Sequence, residues 1–152
     1  MSDQDFYTFR EYMRKDDELT ASMEDYLEMI YRLSRKDGFT RIHDLAEALN
    51  VQPPSATKMV QKLADLDAVA YRKYGVVVLN EKGLMLGKAL MARHQIVEDF
   101  LKILGITENL LEETEKIEHT ISPTTLNSLA SLVKFLRARP SLLLEFEESL
   151  KT

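Results

Sequence analysis

The adjacent pair Pro53-Pro54 restricts this chain more than any other feature of its sequence. Each proline fixes φ near −65° and lacks a backbone N–H. Two in succession before Ala56, Met59, Val60 and Leu63, spaced as a helical stripe, fit only the first turn of a helix. The N–H groups missing there would have had no intrahelical acceptor. A helix over about 53–66 is therefore expected, with Ser55, Thr57, Lys58, Gln61 and Lys62 on its polar face. Upstream, "RIHDLAEAL" at 41–49 puts Ile42, Leu45, Ala46 and Leu49 on one face, and only Asn50-Val51-Gln52 separates it from the prolines. Two short amphipathic helices joined by a three-residue turn read as a helix-turn-helix.

The flanking segments extend that pattern. Ser22 reads as an N-cap with Asp25 three residues on, opening a helix whose stripe is Tyr26, Leu27, Ile30, Tyr31 and Leu33 and which ends at Lys36-Asp37-Gly38. After the second helix of the pair, two β-prone runs within 69–79 are parted by Gly75, which reads as a hairpin. Three helices followed by a hairpin is the winged helix-turn-helix order. Asn80 reads as the cap of a long helix over about 81–104, ended by Gly105. Shorter helices are expected over about 108–119, from Ser122-Pro123 through Leu126, Leu129, Leu132, Val133 and Leu136, and over 142–150, with Pro140 as a stop. The expected fold is mainly α: an arm at 1–20, a winged helix-turn-helix domain at 21–80, and a linking helix with a further helical domain at 81–152. The arm has Phe6, Tyr7, Phe9 and Tyr12 at near-helical spacing.

Charge is distributed to suit a polyanion on one part of the surface. The chain carries −5 overall, yet residues 53–105 hold 8 Lys/Arg against 5 Asp/Glu, while residues 1–52 hold 7 against 12 and residues 106–152 hold 5 against 8. Pro54, Ser55, Thr57 and Lys58 at the start of the recognition helix, with Gln61 and Lys62 a turn later, supply short polar groups and cations for base edges and phosphates. Arg72 and Lys73, with Tyr74, place the wing against phosphates or the minor groove. The other reading of these residues is a solvated helix face and a surface hairpin. Cysteine is absent, which excludes disulfides, thiolate zinc sites and cysteine nucleophiles. No apolar run approaches the roughly 18 residues of a membrane span, and the acidic, interrupted start is unlike a signal peptide, so a cytoplasmic protein without membrane contact is expected.

A second set of residues has the chemistry of a metal site. Asp25 and Glu28 stand at i,i+3, and Glu115, Glu118 and His119 at i, i+3 and i+4, so each set shares one helix face. His94 is flanked by Leu90, Met91, Val97 and Leu101 at helical spacing, which points it inward. Carboxylate and imidazole donors without sulfur suit Mn, Fe(II), Zn or Co(II). Two other readings stay open: solvated acids beside a core histidine, and a catalytic di-metal hydrolase centre.

The segments "SMEDYLEMIY", "DLAEALNVQPPSATKMVQKL", "GLMLGKALMARHQIVEDFL" and "TEKIEHTIS" resemble the diphtheria-toxin-repressor family over about residues 21–137, most closely its manganese transport regulator branch. The resemblance implies metal ligands at Asp25, Glu28, His94, Glu115, Glu118 and His119, holding two nearby Mn(II) ions per subunit, the Glu115 and Glu118 carboxylates contacting both. It also implies a homodimer joined through C-terminal helices, bound to a palindromic double-stranded DNA operator and repressing metal-uptake genes. An iron-responsive regulator of the same family is the alternative. In the iron branch the positions of Glu28 and Glu118 carry methionine and cysteine, whereas both are glutamate here, which favours manganese. The chain departs from the branch in an arm about 17 residues longer, in His43 in place of a small polar residue, and in Thr120 where a second histidine is common. His43 is expected at the surface or beside phosphate, outside the ligand set.

Overall fold

The computed structural model describes residues 19–152, so the expected arm lies almost wholly outside the described residues. The described chain forms two compact units, one reaching to Met91 and one spanning Ala92–Thr152.

The first unit opens with α1 (Ala21–Ser34), capped by Thr20, whose hydroxyl accepts from the Met23 N–H at 3.2 Å. The cap is thus two residues earlier than the Ser22 expected, and Ser22 lies inside the first turn. Tyr26, Leu27 and Ile30 of the expected stripe are buried. Gly38, at φ +82°, returns its N–H to the Ser34 carbonyl at 2.8 Å and ends the element. The chain then forms β1 (Thr40–Arg41), a strand without sequence signal because two residues carry no periodicity. It displaces the expected helix start by one residue: α2 is Ile42–Leu49, with Arg41 as its extended N-cap. Asn50 turns the chain at φ +53°, and α3 (Pro53–Asp65) starts on the two prolines as anticipated. Ala56, Val60 and Leu63 point inward.

The wing is β2 (Val69–Arg72) and β3 (Val76–Leu79), antiparallel, with Arg72 opposite Val76 and Tyr71 opposite Val77. Strand β1 pairs with the other edge of β3, Thr40 opposite Val77 and Arg41 opposite Val76, giving the sheet order β1-β3-β2. The wing is thereby stitched to the start of the helix-turn-helix. Leu27, Ile30, Leu45, Val60, Leu63 and Val77 form the fully buried centre of this unit.

Helix α4 (Glu81–Ile103) begins in the first unit and ends in the second. Asn80 precedes it, but its side-chain amide donates to the Asp67 backbone carbonyl at 3.0 Å and the Asp67 carboxylate at 2.9 Å. Two glycines one helical turn apart seat the start of α4. A Cβ on Gly83 would overlap the Ala68 carbonyl, and one on Gly87 would lie 2.7 Å from the Tyr31 Cβ on α1.

In the second unit, Gly105 at φ +81° breaks α4 from a loop, and α5 (Leu110–Glu118) follows, two residues later than expected at its start and with His119 as C-cap. Helix α6 (Pro123–Arg137) is capped by Ser122, which accepts from the Thr125 N–H at 3.2 Å. Pro140 does more than stop a helix: it is the first residue of α7 (Pro140–Ser149). Val97, Leu101 and Leu126 form the core, with Ile96, Phe100, Leu104, Leu110, Ile117 and Ile121 packed around it.

Candidate metal centre and DNA-reading surface

Helix α4 aims His94 into the core of the second unit because its neighbours one and two turns on, Val97 and Leu101, are buried there. Only 7% of His94 is exposed. Its Nδ1 lies 3.1 Å from Glu118 Oε2 and its Nε2 lies 3.2 Å from Glu98 Oε2. Glu118, 3% exposed at the end of α5, turns its other oxygen towards His119, with Oε1 3.7 Å from His119 Nε2. One buried carboxylate therefore faces two imidazoles. The other nitrogen of His119, Nδ1, lies 3.3 Å from Nη2 of the buried Arg93.

These contacts test whether the residues suit a cation. A neutral imidazole has a single N–H, so His94 can donate to only one of the two carboxylates it faces. The second nitrogen can face its carboxylate in two ways, by taking up a proton or by turning its lone pair to a cation held between them. A metal-ligating histidine normally gives its remaining N–H to a carboxylate, and Glu98 stands ready for this. The Lys102 ammonium, 2.7 Å from Glu98 Oε1, holds the Glu98 carboxyl below its usual range against the opposing effect of burial, and His94 adds to the lowering. Glu98 was not among the residues singled out from sequence, although its i+4 spacing from His94 was a usable signal. The donor set fits a divalent metal.

The remaining expected ligands are placed as follows. Glu115 lies one turn before Glu118 on α5 and is exposed. Asp25 and Glu28 lie on α1 in the first unit, and Arg32 sits 3.5 Å from Glu28 Oε1. His43 is exposed, within 4.0 Å of Glu47 on the same helix, consistent with its exclusion from the ligand set.

On the first unit, Pro54, Ser55, Lys58, Gln61 and Lys62 are exposed on α3 and Thr57 is half-buried. Arg72 and Lys73 are exposed where the wing turns. The polar face of α3 and the cations of the wing are thus free to meet a polyanion, as recognition by a winged helix requires. Sequence reasoning missed Arg41, whose Nη1 donates to the Tyr74 carbonyl at 3.3 Å.

A winged helix-turn-helix followed in the same chain by a helical unit with a buried carboxylate–imidazole cluster defines a DNA-binding transcriptional regulator with a metal-binding domain. Residues 18–77 match the family model described as the iron dependent repressor N-terminal DNA binding domain, and residues 80–142 match its metal binding and dimerisation domain. The chain belongs to the iron-dependent repressor family, so it binds DNA and divalent metal, dimerises, and is not an enzyme. The hydrolase reading is thereby set aside. The chain is 45% identical over 119 residues to the HTH-type transcriptional regulator MntR of Shouchella clausii (strain KSM-K16), covering 78% of this chain and 83% of that one. It is 44% identical over 117 residues to the MntR of Bacillus subtilis (strain 168), covering 76% and 82%. Among solved structures, the manganese regulator SloR is similar at 34% identity and TM-score 0.67, over 77% of this chain and 55% of that one. ScaR with bound Zn2+ is similar at 32% identity and TM-score 0.63, over 74% and 54%. The chain spans about half the length of these solved chains.

Proposed function

We propose that this chain is a manganese-responsive repressor that binds a palindromic operator and controls metal-uptake genes in the cytoplasm. The observation that carries the reading is the sulfur-free donor cluster, in which buried Glu118 faces both His94 and His119. Hard oxygen donors with imidazole suit manganese, and Fe(II), Zn and Co(II) are the competing ions. The curated relatives named MntR and the structural neighbour described as a manganese regulator support the same metal.

The ligand set is Asp25, Glu28, His94, Glu115, Glu118 and His119, serving two ions per subunit. Its four carboxylates carry four formal negative charges, which two divalent cations would neutralise. The set takes two residues from the DNA-binding unit and four from the second. DNA affinity and metal affinity are therefore coupled, and the coupling is reciprocal. A dimer reading two half-sites about 34 Å apart binds tightly only when both recognition helices are held in register. Pro54, Ser55, Thr57, Lys58, Gln61 and Lys62 read the groove, and Arg72 and Lys73 meet phosphate. The domain boundaries that fit this division of labour are an arm at 1–20, a reading head at 21–80 and a linking and dimerisation region at 81–152. Leu132 and Phe135 on α6, with Leu142 and Leu144 on α7, are exposed, and they suit the dimer contact.

The test is duplex binding by the purified protein in Mn, Fe(II), Zn and Co(II) series at fixed free-ion concentration. DNA affinity should rise most with Mn and fall on chelation. Equal binding by metal-stripped and metal-loaded protein would refute the reading.

A further inference from the structure

Packing does not account for the tip of the wing. Tyr74 is 91% exposed, the most exposed large apolar side chain among the described residues. Its backbone is left-handed at φ 63°, ψ 29°, and Gly75 follows at φ 71°. A left-handed residue with a Cβ costs about 1–2 kcal/mol, which is why such hairpin positions favour asparagine, aspartate or glycine. The ring recovers little of that through burial.

A side-chain hydrogen bond braces the tip. Arg41 Nη1 donates to the Tyr74 carbonyl at 3.3 Å. Arg41 is the second residue of β1, opposite Val76, and the N-cap of α2. Its guanidinium lies 5.7 Å from the Phe39 ring centroid, which narrows the range of the side chain. A single side chain thus ties the start of the helix-turn-helix to the wing tip. Arg72 and Lys73, both exposed, precede Tyr74 directly.

We propose that Tyr74 is a DNA-contact residue whose phenol donates to the sugar–phosphate backbone, and that Arg41 is a positioning residue holding the tip where Tyr74 can reach it. This rests on the DNA-binding reading. Tyrosine hydroxyls are among the usual phosphate donors. As a neutral donor, Tyr74 adds affinity without releasing counterions, so it leaves no mark on the salt dependence, in contrast to a lysine or arginine on phosphate.

The experiment uses the full chain with Mn(II) and a duplex selected from random-sequence DNA by the metal-loaded protein, with binding measured across a salt series. Tyr74→Ala and Tyr74→Phe should each weaken binding by about tenfold or more, as expected for loss of a hydrogen bond to a charged group. Both should leave the slope of log K against log salt unchanged. Arg41→Met should weaken binding by a similar factor, and its effect should shrink below about twofold in the Tyr74→Ala background, because residues acting through one contact are not additive. Manganese affinity and thermal stability should hold in all three variants. Tyr74 variants that bind within twofold of the wild type overturn the contact. An Arg41→Met effect that is additive with Tyr74→Ala, or that lowers the slope by about 0.9, overturns the positioning role, because Arg41 is then itself a phosphate ligand. A wild-type protein that selects no duplex overturns this proposal together with the DNA-binding reading.

Discussion

His94 is the residue at which packing and chemistry separate most clearly. It lies in an apolar seam beside Val97 and Leu101, yet both ring nitrogens face carboxylates. His94→Ala removes a proposed metal donor and leaves a small cavity. We expect manganese affinity to fall by at least tenfold, as for loss of ligand shells generally, while the folded structure persists. Calorimetric Mn titration with thermal melting checks this; loss of the fold with metal binding retained would return His94 to the role of a core residue. In the proposed site, Glu28 and Glu118 are the residues expected to set metal preference at the same scale. Manganese stands at the weak end of the Irving–Williams order, so its selection depends on donor type and geometry rather than raw affinity. The double variant Glu28→Met with Glu118→Cys should move activation of DNA binding from manganese towards iron and softer ions. An unchanged activation order across the metal series would show that these positions do not set the preference.

At the scale of elements, the start of α4 depends on the absence of one side chain. Gly83 lets α4 approach the Ala68 carbonyl more closely than any Cβ permits. Gly83→Ala should therefore destabilise the first unit by about 1–3 kcal/mol, the usual range for overpacking, despite alanine's better helix propensity. Urea unfolding of the two proteins measures this, and equal or greater stability of the variant would show that α4 shifts at no cost. In the second unit, Asp99 links α4 to α6 by accepting from Arg137 at 3.0 Å, and Gln95 on α4 donates to its other oxygen at 2.9 Å. In the wing, Arg72→Ala with Lys73→Ala should lower the log–log salt slope of DNA binding by about 1.8, corresponding to two phosphates. A slope equal to the wild type's would remove the wing cations from the interface.

For the whole molecule, the proposed function expects dimerisation and DNA affinity to be linked. The exposed Leu132 and Phe135 share α6, one turn apart. Phe135→Glu would place a charge on that apolar face, so the dimer should weaken and operator affinity should fall with it, while manganese binding by the monomer continues. Sedimentation velocity beside DNA binding distinguishes this from a surface residue without an oligomeric role, for which the mass would not change.

Much of this architecture is local in origin and therefore legible in the sequence. Two prolines fix the first turn of α3 whatever surrounds them, and the apolar periods of α1, α2 and α3 follow from one-sided burial. The residue types of the proposed ligand set could likewise be read along the chain, and the family resemblance grouped them. Other features depended on groups distant in sequence. Strand β1 has only two residues, and only its pairing with β3 defines it. The Thr20 cap was chosen over Ser22 by the path of the chain into α1, since both hydroxyls suit the role. In the sequence, Glu98 is marked only by its i+4 spacing from His94, and Arg93 by no motif. Their part follows from α4 and α5 packing on the Val97–Leu101–Leu126 core, which brings His94 to Glu118 across 24 residues and Arg93 to His119 across 26. Residue type and period are properties of the chain, whereas the distance between donors on different helices exists only once the core between them has packed.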